Sequence, residues 1–165
     1  MTEADIFTFL NQYGLIFIFL IVFMEYLNLP GFPAGVILPA CGAWITITQN
    51  SFFICYFVSI LAGVLGSLIL YFIGWYIGEP IINKICYKYP KMKLKMDKLK
   101  RGMIKRANYT VFIARLVPVV RTLVGFPAGV VKMNILNYLL FSMLGIALWN
   151  ASLIIFGMIG SSIII

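Results

Sequence analysis

The sequence predicts an all-α integral membrane protein whose chain twice enters the bilayer as a broken helical hairpin among ordinary transmembrane helices. Three observations carry this prediction. The 165 residues are 62% hydrophobic and 11% charged, with a mean hydropathy of +1.02. A soluble domain of this size has too little interior for so much apolar surface, whereas a bilayer core about 30 Å thick calls for roughly 20 apolar residues per crossing. The stretch 109–131 is apolar enough to enter a membrane, yet it contains Arg115 and Arg121 and is interrupted by Pro118, Gly125, Pro127 and Gly129. Finally, the hexapeptide Gly-Phe-Pro-Ala-Gly-Val occurs at 31–36 and again at 125–130. Interrupted apolar segments at matching places in two halves of a chain are the sequence pattern of a transporter's midplane site.

At the N-terminus, residues 1–6 hold Glu3 and Asp5 but no lysine or arginine. The basic start of a cleavable signal peptide is missing, and this segment is expected to be retained. From Phe7 the chain runs apolar to Phe23, and a helix is predicted to end near Asn28, because the residue before Pro30 is pushed out of helical angles. Gly31, Pro33, Gly35 and Pro39 follow, so 29–48 reads as a turn and return at membrane depth, and 7–48 as an N-terminal helix with a first re-entrant hairpin.

Residues 52–78 form the cleanest transmembrane helix, with Glu79-Pro80 predicted to stop it. Ser59, Ala62, Gly63, Gly66, Ser67, Gly74 and Gly78 recur at three- and four-residue spacing, a stripe that permits close helix contact. Packing within one chain and packing in an oligomer explain the stripe equally.

Ten of the thirteen basic residues lie from Lys84 to Arg106. The positive-inside rule puts this 81–108 loop in the cytoplasm. Met92, Met96, Leu99 and Met103 share one helical face there, predicting an amphipathic helix on anionic lipid head groups rather than a nucleic-acid site. The second hairpin, 109–131, and a transmembrane helix over 135–160 complete a single membrane domain. In that last helix Asn150 is expected to hydrogen-bond between helices. Cys41, Cys55 and Cys86 are scattered and histidine is absent, so the cysteines read as packing residues and neither a metal site nor a cofactor is expected.

Phe112-Ile-Ala-Arg115-Leu-Val-Pro118-Val-Val-Arg121, followed by Pro127-Ala-Gly129, resembles the signature of the DedA family of small membrane proteins, also called SNARE-associated or VTT-domain proteins. Glu25, Pro30, Pro33 and Ile37-Leu-Pro39-Ala-Cys-Gly42 resemble that family's N-terminal acidic-proline motif, and the likeness covers nearly the whole chain. The resemblance implies two opposed re-entrant hairpins in an inverted-repeat-like arrangement, residence in the cell membrane, and movement of lipids across it. Undecaprenyl phosphate and phospholipids such as phosphatidylethanolamine are the implied substrates. It carries phosphate binding to Arg115 and Arg121 and the membrane acid to Glu25. Many members hold a second acid just after the first hairpin's proline, where this chain has Ala34-Gly35, which puts two-acid proton coupling in doubt.

The chemistry of the residues points the same way. Each arginine near a helix centre costs roughly 2.5–3.5 kcal/mol to insert, so a pair is expected to face a cavity, a partner or an anionic ligand. A guanidinium presents a planar fork of donors to phosphate oxygens. Glu25 is a candidate either for proton exchange or for a fixed ion pair with an arginine. Two rivals stand beside the transporter. A membrane lipid phosphatase would have to work without histidine or an acidic cluster, with only Thr110 and Thr122 as weak nucleophiles near the second hairpin, so the expected class is not an enzyme. A scaffold that moves nothing would keep its function without the arginines.

Overall fold

A computed structural model of the chain describes residues 3–27, 34–48, 51–88, 109–118 and 120–164. All elements among these residues are helical: α1 (Glu3–Tyr26), α2 (Ala34–Thr48), α3 (Phe52–Lys88), α4 (109–115), α5 (Val120–Leu123), α6 (Gly125–Val130) and α7 (Ile135–Ile164). Phe52–Gly78 of α3 and Ile135–Ile163 of α7 are long and apolar enough to cross a bilayer. By contrast α2, with 15 residues, is about 22 Å long at 1.5 Å per residue, short of the ~30 Å hydrocarbon core. The chain packs as two units, Met1–Leu65 with Ile146–Ile165, and Gly66–Gly145.

In the first unit α1 and α2 lie against each other. A groove of about 390 Å³ runs between them, lined by Gly14, Phe17, Ile21, Ile37, Cys41 and Trp44 among others. Glycine sets the closest approaches. A Cβ at Gly42 would meet the Ile154 carbonyl and, at 2.9 Å, the Met158 nitrogen, while a Cβ at Gly157 would meet the Pro39 backbone. The α2 and α7 backbones are therefore in contact through two glycines, the arrangement that membrane helices use where apolar burial gives no net drive. Cys41 and Cys55 are buried in this core with Val22, Tyr26, Leu38 and Ile146.

In the second unit the first half of the 109–131 stretch ends at Arg115, a turn covers 116–118, and helix resumes at Val120. Here α6 packs on α3 through small residues. Cβ atoms at Gly74 and Gly129 would collide with the Phe126 and Tyr71 carbonyls, and one at Gly78 with the Val130 side chain. The chain leaves α6 through Lys132, whose φ of 52° is the only positive value at a non-glycine residue among those described.

The small-residue stripe of α3 is buried at all seven positions. The glycine contacts lie within the chain: Gly63 against Tyr26 and Ile146 in the first unit, Gly74 and Gly78 against α6 in the second.

Two sequence expectations are corrected. Glu79-Pro80 does not end α3, which continues to Lys88. Pro80 removes one i→i−4 hydrogen bond, but it falls past the apolar span and the freed Tyr76 carbonyl belongs to a residue 73% exposed, where an outside partner can satisfy it. The second correction concerns the punctuation. Gly35 and Pro39 lie inside a continuous α2, and Gly125, Pro127 and Gly129 inside α6. Of the described prolines, only Pro118 lies outside a helix. Pro127 occupies the first turn of α6, where a backbone N–H is not needed, and Gly129 serves close approach rather than a turn. Pro30 and Pro33 lie outside the described residues, as does the 89–108 part of the basic loop.

Candidate functional site

The second unit places both predicted arginines in its interior, Arg115 at 1% exposure and Arg121 at 3%. Arg115 ends α4, and space for its side-chain stem is created by α7, where a Cβ at Gly145 would come within 2.5 Å of the Arg115 Cβ. Its guanidinium then reaches three acceptors. Nη1 donates to the Arg121 carbonyl across the break in the helix. Nη2 donates to the Tyr138 hydroxyl at 2.8 Å and to Ser142 Oγ at 3.2 Å, both on α7. The guanidinium carbon also lies 5.8 Å from the centre of the Tyr138 ring, close enough for a cation–π contribution.

Tyr138 ties this group to α3. Its hydroxyl donates to the Ser67 carbonyl at 3.1 Å, and since a carbonyl can only accept, the phenol proton is directed there and an oxygen lone pair is left for Arg115. Tyr71 stacks on the Tyr138 ring at 4.7 Å and itself donates to the Met133 carbonyl. Gly125 completes the wall, since a Cβ there would stand 2.9 Å from both the Ser67 carbonyl oxygen and the Tyr138 hydroxyl. A buried cation is tolerated at such a place because neutral acceptors replace its hydration. Thr122, beside Arg121, is also buried, whereas Thr110 is exposed.

Glu25, at 6% exposure, belongs to the first unit, in the last turn of α1. Its sequence neighbour Tyr26 is fully buried and donates to Asn150 Oδ1 at 3.5 Å, while Asn150 Nδ2 donates to Ser59 Oγ at 3.2 Å. Asn150 thus links α1, α3 and α7, the interhelical bonding expected of it. The structure brings the two arginines together in one unit and places the acid in the other. Tyr138 and Ser142 were missed by sequence reasoning, and Ser67 was read only as part of the small-residue stripe of α3. The available signal was weak: two hydroxyl residues at i, i+4 on one face of an otherwise apolar α7.

Comparison with known proteins settles the lineage. Residues 32–159 match the family model described as the VTT domain. The chain belongs to the DedA/VTT-domain family of membrane proteins. It is similar to a protein named undecaprenyl phosphate transporter A from Staphylococcus aureus, 33% identical over 159 residues, covering 94% of this chain and 78% of the relative. A Lactococcus lactis relative named alkaline phosphatase-like protein is 29% identical, covering 90% and 71%. Protein DedA of Escherichia coli is 28% identical, covering 80% and 62%. No solved structure shows a significant match.

Proposed function

We propose that this chain moves a phosphate-bearing lipid, undecaprenyl phosphate or a phospholipid, across the bacterial cell membrane, with the two segments that carry the repeated hexapeptide acting as re-entrant hairpins. The observation that carries the proposal is the pair of buried arginines, joined at the break in 109–131 by the bond from Arg115 to the Arg121 carbonyl. Cations at membrane depth are costly and mark substrate or ion pathways, and the relative named for undecaprenyl phosphate transport supplies the class of anion. In this account the arginine pair builds the phosphate site, by contact or by positioning, the lipid tail stays in the bilayer, and Glu25 exchanges a proton or pairs with an arginine. The 81–108 segment lies on the cytoplasmic leaflet against anionic head groups.

One relative's name favours a second reading, a lipid phosphatase. The chain offers it little: Thr122, Ser142 and Tyr138 are buried hydroxyls near the arginines, but the sequence has no histidine to activate one of them. Purified protein in liposomes tests both. Transbilayer movement of undecaprenyl phosphate without release of inorganic phosphate supports transport; phosphate release supports hydrolysis; neither result leaves a scaffold.

A further inference from the structure

We infer that Arg115 is a positioning residue rather than a phosphate contact, and that Tyr138 and Ser142 are the groups that fix it across the turn at 116–118. A role defined by transport rests on the phosphate reading above, but the geometry stands apart from it. A guanidinium binds phosphate in two-pronged fashion along one of two edges, Nη1 with Nη2 or Nη2 with Nε. Each edge needs one of the two Nη2 hydrogens. In this protein both are engaged, one by the Tyr138 hydroxyl and one by Ser142 Oγ. Neither fork is open to a ligand unless a bond to α7 breaks.

The third bond gives the arrangement its purpose. Nη1 holds the backbone carbonyl of Arg121 itself, so one side chain ends α4, grips the first turn after the break, and is anchored to α7. Tyr138 extends the anchor to α3 through the Ser67 carbonyl. Loss of the Tyr138 hydroxyl removes the acceptor for Arg115 and the donor to α3 in one step, and loosens the turn that presents Arg121.

Hydrogen exchange and transport measured on Tyr138→Phe and on the milder Ser142→Ala test this, with Arg115→Lys as reference. In detergent-solubilised protein, amides of 121–124 should exchange about tenfold faster in Tyr138→Phe, the size expected when one buried charge-assisted hydrogen bond is lost. The Tyr138→Phe/Arg115→Lys double variant should exchange no faster than the quicker single, while amides of 36–47 are unchanged. In liposomes containing undecaprenyl phosphate, both single α7 variants should raise the half-saturating lipid concentration with the maximal rate kept. If Arg115 contacts phosphate instead, freeing its Nη2 hydrogens lowers that concentration, and the inference is wrong. Unchanged exchange at 121–124, or equal loosening of 36–47, overturns it as well. A wild-type protein that moves no lipid phosphate counts against the proposed function, and the exchange results then decide the positioning role alone.

Discussion

The repeated hexapeptide sets up a comparison in which one substitution at one repeat position gives opposite results. Gly35 and Gly129 are the fifth residues of the two copies. A Cβ added at Gly129 would meet the Tyr71 carbonyl oxygen and lie 2.8 Å from the Trp75 nitrogen, both backbone atoms of α3. No side-chain rotation relieves either contact. Ordinary carbon contacts begin near 3.5 Å, so α6 must retreat from α3 by about 0.7 Å or more. Overpacking of this kind costs about 1–3 kcal/mol, and a rigid backbone opposite puts Gly129→Ala at the upper end. At Gly35 an added Cβ finds nothing within 4 Å. There alanine brings only its better helix propensity, at most about 1 kcal/mol and less in a first turn. A propensity gain of no more than about 1 kcal/mol applies at Gly129 too, so the difference between the two variants is dominated by the packing penalty, roughly 3 kcal/mol. Reversible unfolding in mixed micelles, followed by far-ultraviolet circular dichroism, measures it. Gly129→Ala should be destabilised and Gly35→Ala neutral or slightly stabilised. Equal effects of the same sign at both positions would refute the close α6–α3 contact.

Three further outcomes are expected. Asn150→Ala should lower stability by about 1 kcal/mol in the same unfolding assay, since interhelical polar bonds in membranes average about 0.6 and reach about 1.7 kcal/mol; Ser59→Ala should be largely non-additive with it. For Glu25, proton exchange predicts a stable Glu25→Gln that has lost the pH dependence of transport. A fixed ion pair predicts a loss of roughly 3–5 kcal/mol, relieved by neutralising the partner arginine; a stable variant with unchanged pH dependence would sink both accounts. In a cysteine-free background, Lys105→Cys and Lys132→Cys should react with an impermeant reagent from the same side, and labelling from opposite sides would mean that 109–131 spans the bilayer.

Much of this architecture is legible in the sequence because the bilayer makes composition informative. A run such as 52–78 has few alternatives to a helix, and its small-residue stripe identifies the face that packs. Arg115 and Arg121 stand out because charge is so costly in that setting. The breakers were misread for a physical reason. Glycine and proline mark turns in water, but between membrane helices glycine is also the means of backbone contact, as at Gly42, Gly129 and Gly157, and proline is harmless in a first turn, as at Pro127. The partners of Arg115 were hidden for another reason. Tyr138, Ser142 and the carbonyls of Arg121 and Ser67 are a constellation made by the turn at 116–118, and hydroxyls in an apolar helix carry no periodic signal of what they bind.

Transport by Arg121→Lys beside wild type and Arg121→Ala is the measurement closest to the proposed mechanism. The protein is reconstituted in liposomes and the transbilayer movement of undecaprenyl phosphate is followed. A guanidinium fork that binds phosphate is not replaced by the point charge of an ammonium, so both variants, inserted and folded, should lose at least about tenfold in rate, the equivalent of one charge-assisted hydrogen bond. Full activity of Arg121→Lys, or wild-type liposomes that move no more lipid phosphate than empty ones, would contradict the account.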